Sequence, residues 1–316
     1  NCTARRITFT GSGSEANNLA IKGVAFANWN SKNHIITTSI EHPSVIDTCQ
    51  WLERHGFEVT YLEIDKTKKL NPEDLKSAIT EKTCLISVMM ANNETGSINP
   101  ITELVRIAKE RNVLFHTDCV QAIGKIPIDV NTLGVDLLTM SGHKLYGPKG
   151  IGALYIRKGV VLEPLISGGK QENGMRAGTE NVLGIVGLGK AAELAVQRIH
   201  EMDRIKRMRD KLEKGIRELM AEAKLNGNPG AMLPNTLNIT LPGIRGESVV
   251  LALDQKGVSL SSGSACRAGS PKPSHALLAM GLSEEEAHCA LRFSLGLGNT
   301  MEEIDRTIDL LGEVIR

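Results

Sequence analysis

The sequence lacks four features that would place it in a special class of protein. Its 316 residues contain no apolar run near the ~20 residues that a membrane-spanning helix needs. The formal net charge is only +1, which argues against nucleic acid or an anionic membrane as the main partner. No signal-peptide pattern opens the chain, and its six cysteines form no CxxC pair. We therefore expect reduced thiols of a cytoplasmic protein, without a disulfide or zinc framework.

Short apolar runs alternate with amphipathic stretches over the first half of the chain. Strand patterns recur at residues 5–9, 34–39, 58–62, 84–90, 113–117, 135–140 and 151–157. Helical patterns lie between several of them, at residues 44–55, 72–79 and 101–111. This alternation predicts βαβ units and a mainly parallel sheet, which is an α/β fold. The strand at 151–157 is expected to pair antiparallel at the edge of that sheet.

The second half of the chain has a different pattern. A long charged amphipathic helix is predicted over residues 191–224, and a turn region follows at 226–234. Short strands and helices then continue to the C-terminus. We predict two domains, a large one over residues 1–200 and a smaller α+β domain over residues 201–316. Asn1 lies close to the first strand pattern, and we expect that a preceding N-terminal segment is missing.

Lys144 lies where the strand pattern at 135–140 runs out into a loop containing glycine and proline. The end of a strand is the usual place for a site in an open α/β sheet. A lysine there is either a solvated surface charge or an amine held in a pocket. In a pocket its pKa would be lowered enough for it to form a Schiff base.

A glycine-rich turn at residues 11–14 follows the first strand pattern and precedes a helical one. Backbone N–H groups and the positive end of a helix would make it a phosphate cradle. An ordinary strand-to-helix turn is the plainer alternative. A dinucleotide site is the third, because Gly11, Gly13 and Ala16 fit the GxGxxA pattern and Glu41 stands where a ribose-binding acid would lie.

Three further polar residues fall at the ends of strand patterns. His42 could stack on a flat cofactor ring and move protons, or make only structural hydrogen bonds. Asn93 could point its amide at a ligand, or belong to an Asx turn. Asp118 either caps a helix or, as a buried acid, needs a cation such as a protonated pyridine nitrogen. A cradle, an amine, a buried acid and a histidine form the set that pyridoxal phosphate requires, whereas a dinucleotide leaves Lys144 and Asp118 without a role.

Eight motifs carry a resemblance that covers essentially the whole chain. In order they are TGSGSE (10–15), EHP (41–43), NNETG (92–96), HTDCVQ (116–121), SGHK (141–144), GMRAGT (174–179), SSGSAC (261–266) and RFSLG (292–296). Together they resemble the cysteine desulfurases of the class V aminotransferase group. The resemblance implies a pyridoxal phosphate enzyme of fold type I, with a seven-stranded, mainly parallel sheet in its large domain, acting as a homodimer.

The resemblance also implies a role for each matching residue. Lys144 would bind pyridoxal 5'-phosphate covalently, with Asp118 on its pyridine nitrogen, Gln121 on its phenolic oxygen and His42 stacked on its ring. The phosphate would be held by Gly13, Ser14, Ser141, His143 and, from the other subunit, Thr179. Asn93, which would also face the cofactor, and Arg292 would grip the carboxylate of the substrate, for which arginine has the two-pronged geometry.

Cys266 would be the sulfur acceptor, and its surroundings agree with that role. It lies in the Ser-, Gly- and Pro-rich stretch 261–273, which predicts an irregular loop that could bring a thiol to the site and away again. An exposed, incidental cysteine is the alternative, and it is the interpretation we give to the other cysteines, Cys2, Cys49, Cys84, Cys119 and Cys289.

The implied activity converts L-cysteine to L-alanine and passes the sulfur to Cys266 as a persulfide. From there it would go to an acceptor protein such as an iron–sulfur scaffold, or to a thiolation pathway. Three alternatives stay open: a selenocysteine lyase with nearly the same residues, a nicotinamide-dependent oxidoreductase, and a non-catalytic fragment.

Overall fold

The computed structural model describes residues 1–64, 70–262 and 273–315, and these form two compact units. The first consists of Asn1–Ile64, Leu70–Ala91 and Asn99–Arg198. The second consists of Asn92–Ile98 and the described residues from Ile199 onward. Residues 92–98 thus group with the second unit although they lie inside the range 1–200.

A sheet runs through the first unit, and in the described residues it has seven strands. They are β1 (Ile7–Thr10), β2 (His34–Thr38), β3 (Glu58–Leu62), β4 (Thr83–Ser87), β5 (Leu114–Asp118), β6 (Leu137–Ser141) and β7 (Gly152–Ile156). Their order across the sheet is β1-β7-β6-β5-β4-β2-β3. All pairs from β3 across to β6 are parallel, while β7 is antiparallel to both of its neighbours. The predicted α/β fold with a mainly parallel sheet is confirmed.

The expectation that the 151–157 strand forms an edge of this sheet is wrong. β7 does pair antiparallel with β6, but β1 pairs on its other side. Thr10 at the end of β1 and Ser141 at the end of β6 both pair with Gly152. β1 therefore runs in the same direction as β6, and the turn after β1 reaches the same end of the sheet as the loop that carries Lys144.

Helices pack on this sheet through small and aliphatic side chains. α1 (Gly13–Ala27) is capped by Ser12, whose Oγ accepts the N–H of Glu15 at 3.1 Å. Its buried residues share a core with Leu85, Leu137 and Leu154 of the sheet. The remaining helices of this unit are α2 (Pro43–Glu53), α3 (Pro72–Ala78), α4 (Ile101–Glu110), α5 (Val130–Leu133) and α6 (Val182–Gln197).

The single helix predicted over residues 191–224 is wrong, because α6 ends at Gln197 and α7 (Glu201–Leu219) follows as a separate helix. The sequence hides the break, since no glycine or proline lies there and the apolar spacing continues through Ala195 and Ile199. Packing reveals it. Ala195 packs on the core of the first unit and Ile199 on that of the second.

The second unit has an antiparallel sheet, four-stranded in the described residues, of order β10-β11-β9-β8. Its strands are β8 (Lys224–Leu225), β9 (Thr236–Thr240), β10 (Ser261–Ser262) and β11 (Ala290–Ser294). Its helices are α7, α8 (Gly246–Gln255), α9 (His275–Ala279), α10 (Glu284–His288) and α11 (Met301–Val314). Two strands of two residues each are too short to leave a period in the sequence. Of the helices described in both units, none is both long and apolar enough to span a membrane.

Candidate active site

Lys144 lies in a short 3₁₀ helix, Gly142–Leu145, directly after β6. Hydrogen bonds fix the backbone of this turn, since the N–H of Gly147 donates to the carbonyl oxygen of Gly142 at 3.0 Å. Tyr146, which ends the turn, takes a φ of 61°, an uncommon value for a residue other than glycine. The side chain of Lys144 is exposed. A well-defined loop therefore presents this amine at the carboxyl end of a central strand.

Three segments of the chain meet at Gly13, the first residue of α1. A methyl group added there would lie 3.0 Å from Val120 Cγ2 and 3.1 Å from Ser141 Cβ, so a larger residue would push these segments apart. The first N–H groups and the positive end of a helix such as α1 favour an anion at this point. Ser141 Oγ and His143 Nδ1 are 2.9 Å apart, and burial lowers the pKa of His143. This arrangement fits a phosphate group.

Asp118, the last residue of β5, is a buried carboxylate. Its Oδ2 accepts a hydrogen bond from Asn17 Nδ2 at 2.7 Å, and its Oδ1 accepts the N–H of Val120 at 2.9 Å. Burial raises the pKa of Asp118, while these two bonds, and His42 whenever its ring is protonated, lower it. A buried carboxylate is stable in its ionised form only beside a cation or several donors. The protonated pyridine nitrogen of pyridoxal phosphate is such a cation, so both this acid and the glycine turn fit that cofactor.

A chain of hydrogen bonds links His42 to Asp118. The backbone N–H of Ser44 donates to His42 Nδ1 at 3.1 Å, and Ser44 Oγ lies 2.8 Å from the same nitrogen. Asn17 Nδ2 donates to Ser44 Oγ at 2.8 Å and to Asp118 Oδ2 at 2.7 Å. Because Nδ1 accepts, the neutral imidazole carries its proton on Nε2. The network therefore fixes the tautomer of His42 and the position of the acid together.

The sequence analysis missed Asn17 and Ser44, although both lie in or beside its motifs. Ser44 comes two residues after His42, at the start of α2, and Asn17 lies in the first turns of α1. They are 27 residues apart in the chain, and no local pattern shows that they meet. Only the pairing of the strands brings the starts of α1 and α2 together.

Gln121 contacts Lys125, a residue that the sequence analysis did not single out. Lys125 Nζ donates to the backbone oxygen of Gln121 at 2.7 Å and to its Oε1 at 3.2 Å. Burial lowers the pKa of Lys125 to about 7, with the charge of Lys144 as the second cause. A spacing of four residues predicts a side-chain contact in a helix, but residues 121–125 form a turn. The sequence therefore offers no reason to expect Lys125 beside Gln121.

Glu41 lies in the interior of the first unit, with 0% of its surface exposed. Its Oε1 accepts the hydroxyl of Thr38 at 2.7 Å and the N–H of Met89 at 2.8 Å. An acid that binds ribose has to face its ligand, so this position contradicts the dinucleotide interpretation. Burial raises the pKa of Glu41 to about 8, and the carboxyl group is therefore protonated in the folded protein at neutral pH.

The raised pKa of Glu41 predicts a pH-dependent stability. The unfolded chain releases this proton near its usual pKa, while the folded chain holds it up to about pH 8. The stabilisation is full at low pH and is lost as the pH rises through about 8. The difference in melting temperature, wild type minus Glu41→Gln, should thus decrease as the pH is raised from about 5 to about 8.5. The exposed Glu81→Gln serves as the control, and a difference that stays flat over this range would contradict the assignment.

Asn93 and Arg292 come together in the second unit. Arg292, in β11, donates from Nη1 to the backbone oxygen of Asn93 at 3.1 Å. The Asx turn considered for this motif forms at its neighbour, because Asn92 Oδ1 accepts the N–H groups of Glu94 and Thr95, both at 2.9 Å. The amide of Asn93 is therefore not the one that closes the turn.

Ser14 and Thr179 are both exposed, Ser14 in the first turn of α1 and Thr179 in the loop that precedes α6. The loop is attached to α1 by an ion pair in which Arg176 Nε donates to Glu15 Oε1 at 2.8 Å. Glu15 also accepts the N–H of Gly11 through Oε2 at 2.8 Å. The motif GMRAGT thus connects to the glycine-rich turn, a contact that the sequence analysis did not predict.

Cys266 lies outside the described residues. Of the five cysteines that the structure describes, Cys2 is exposed and the other four are buried. Burial raises the pKa of Cys49 and Cys119 far above the usual range, and that of Cys84 to about 11. The exposed position predicted for Cys49, Cys84, Cys119 and Cys289 is therefore wrong, because all four are buried. A buried thiol with a raised pKa is a poor nucleophile, so the three whose pKa is raised are unsuited to carry sulfur.

Comparison with known proteins connects this geometry to a family. The family model described as aminotransferase class-V matches residues 1–307. The chain belongs to this class V aminotransferase family. A cysteine desulfurase IscS from Methanosarcina thermophila is 53% identical over 311 residues, which cover 98% of this chain and 77% of the relative.

Solved structures agree with the sequence comparison. A NifS-like protein superposes with a TM-score of 0.92 at 40% identity, covering 99% of this chain and 83% of the other. Another, from Rickettsia africae, gives a TM-score of 0.87 at 34% identity and covers 99% and 82% of the two chains. This class V aminotransferase is accordingly a pyridoxal phosphate-dependent cysteine desulfurase, as the motifs predicted. The roles of its individual residues stay predictions.

Proposed function

We propose that the protein converts L-cysteine to L-alanine with Cys266 as the first sulfur acceptor, and that it supplies sulfur to an acceptor protein of iron–sulfur cluster or thiolation pathways. The observation that carries the cofactor part is the buried Asp118 in a network with His42, since a cation beside it would act with its two hydrogen-bond donors to offset the burial that raises its pKa. The burial of Cys49, Cys84, Cys119 and Cys289 supports Cys266 as the carrier. A cytoplasmic location is part of the same proposal.

Each side chain has a distinct task in this reaction. When bound, pyridoxal phosphate withdraws electrons from the α-carbon of the substrate. Lys144 holds the cofactor and, through Nζ, moves a proton on the substrate, with Nε2 of His42 as a second carrier. Asp118 holds a proton on the pyridine nitrogen, while Gly13 and Ser141 bind the phosphate.

Sulfur transfer then needs one nucleophile. The thiolate of Cys266 attacks the sulfur of the substrate, so that an S–S bond forms and the C–S bond breaks. The electron pair of the broken bond goes to the β-carbon, which takes up a proton to give alanine. No external oxidant or reductant is required, because the two-electron oxidation of the sulfur to the persulfide is matched by the two-electron reduction of the β-carbon.

The function is tested by mixing the holoenzyme with L-cysteine and measuring alanine and protein-bound persulfide in the same sample. We expect alanine to form catalytically and to equal the persulfide in the first turnover. The same measurement with selenocysteine as the substrate distinguishes a cysteine desulfurase from the remaining alternative, a selenocysteine lyase. Alanine from selenocysteine alone, with none from cysteine, would overturn the proposal.

Arg292→Lys tests the grip on the substrate carboxylate. A point charge cannot replace the planar fork of arginine on a carboxylate. Loss of this two-pronged contact should weaken the free energy of substrate binding by about 1.5–3 kcal/mol, the scale of a charged hydrogen bond, and raise KM roughly ten- to hundredfold. Arg245→Lys, which changes a residue outside the predicted site, is the matched control. An unchanged KM would mean that Arg292 only supports the fold through Asn93.

A homodimer is the second part of the proposal, and the exposed face of α6 supports it. Val182, Leu183 and Val186 lie within about one turn of this helix and are 63%, 86% and 66% exposed. An apolar patch of this kind marks an interaction surface. The same segment follows directly on the loop of Thr179, which would reach the phosphate bound by the other subunit.

Leu183→Lys should therefore shift the protein from dimer to monomer in light scattering. The variant should also bind pyridoxal phosphate more weakly, because a ligand that prefers the dimer stabilises it by mass action. Leu251→Lys, on α8 and 67% exposed, is the matched control and should change neither property. A monomeric Leu183→Lys protein with wild-type cofactor affinity would contradict the role given to Thr179.

A further inference from the structure

Lys125 closes a turn that begins at the end of β5. Within it the N–H of Ala122 donates to the carbonyl oxygen of Cys119 at 2.9 Å, and that of Ile126 to Ala122 at 3.1 Å. The side chain of Lys125 folds back over the turn and donates to two oxygens of one residue, the backbone oxygen of Gln121 at 2.7 Å and its Oε1 at 3.2 Å. One amine thus holds both the backbone and the side chain of Gln121.

This turn packs directly on the segment that carries Lys144. A methyl group added at Gly124 would lie only 2.7 Å from Leu145 Cδ2, so the two segments are in close contact. The charge of Lys144 is also strong enough there to contribute to the lowered pKa of Lys125. Lys125 is therefore part of the surroundings of Lys144 and not a remote surface residue.

The contact determines which way the amide of Gln121 faces. An amide has one end that accepts and one that donates, and the two have nearly the same shape. The ammonium form of Lys125 can only donate, so it requires an oxygen, and not the NH2 group, at the facing end of the Gln121 amide. Oε1 of Gln121 is consequently held toward Lys125, and Nε2 is left to donate elsewhere.

We propose that Lys125 is a positioning residue that keeps the Nε2 donor of Gln121 directed at the bound cofactor. The inference rests on the proposed function, because Gln121 is taken to donate to the phenolic oxygen of pyridoxal phosphate. Without Lys125 the amide can turn over and present an acceptor to that oxygen. A lysine that only closes the turn through the backbone of Gln121 is the competing explanation.

A double-mutant cycle with Lys125→Met and Gln121→Ala separates the two explanations. The dissociation constant of pyridoxal phosphate and the absorption maximum of the bound cofactor are measured for both single variants and the double variant. Lys125→Met should weaken cofactor binding about three- to tenfold, the scale of one hydrogen bond, and shift the maximum. In the Gln121→Ala background it should have no further effect on either quantity.

If Lys125→Met weakens cofactor binding equally in the wild type and in Gln121→Ala, the proposal is overturned, since Lys125 would then act by closing the turn or by its charge. Melting of the cofactor-free proteins shows whether each variant folds. If Lys125→Met does not fold, Lys125→Gln replaces it in the same cycle, because the cycle requires only that the amine be removed. A wild-type protein that binds no pyridoxal phosphate would refute the proposed function itself, which is a different result from an additive cycle.

Discussion

Lys144→Ala should abolish the formation of alanine from cysteine. The substitution removes the covalent attachment of the cofactor and the group that moves the substrate proton. General acid–base catalysis alone contributes about 10²–10⁴-fold, so we expect the rate to fall by at least roughly a thousandfold. The variant should still fold, because the Lys144 side chain is exposed and the backbone of its turn is held by Gly142 and Gly147.

Peptide mapping checks the assignment independently of activity. Borohydride should fix the cofactor on Lys144 in the wild type, and no lysine should be labelled in Lys144→Ala. Lys149→Ala, an exposed lysine in the same loop, is the matched control and should be labelled like the wild type. Lys125 is the strongest competitor, because burial lowers its pKa to about 7 and it lies close to Lys144. A label on Lys125 would show that the wrong amine had been assigned.

The parts of the fold that the sequence predicts are those determined by local patterns. Strands inside a parallel sheet are short buried runs, and β2, which lies between β4 and β3, begins at His34 as its predicted range of residues 34–39 does and ends one residue earlier. The ends of such strands are the natural place for polar side chains, which is why Lys144 and Asp118 could be found without a structure.

Long-range pairing explains what the sequence could not show. The return of β1 beside β7 depends on strand pairing between distant parts of the chain, and it decides that Gly13 faces Ser141. The break between α6 and α7 leaves the apolar period intact and appears only when Ala195 and Ile199 pack on different cores.

The same reason explains the residues missed in the candidate site. Asn17 reaches Asp118 across 101 residues of sequence, and a contact of that kind leaves no local signal. Lys125 is close to Gln121 in the chain, but a turn has no fixed period from which the contact could be read. The residues predicted to touch the cofactor belong to recognisable motifs, whereas Asn17 and Lys125, which contact those residues, are identified only through packing.

Cys266→Ser should separate cofactor chemistry from sulfur transfer. The substitution removes none of the predicted contacts to the phosphate or the ring, so the variant should bind pyridoxal phosphate and cysteine as the wild type does. Alanine release should fall to near the background of the uncatalysed reaction, because a hydroxyl is a far weaker nucleophile toward sulfur than a thiolate. No persulfide should be trapped on the variant.

Two other cysteines give the matched controls for this prediction. Cys119 adjoins Asp118 in sequence but is buried, and burial raises the pKa of its thiol. The Cys119→Ser variant should therefore still form a persulfide on Cys266 and keep the wild-type activity. Cys2 is exposed, and whether it is labelled tests whether an accessible thiol is enough to accept sulfur from the substrate. If Cys266→Ser forms alanine at the wild-type rate, or if the persulfide label is found on Cys2 or Cys119, then Cys266 is not the sulfur acceptor. Loss of alanine release in Cys266→Ser alone, with the cofactor spectrum unchanged, would place the nucleophile at the one cysteine whose motif predicted it.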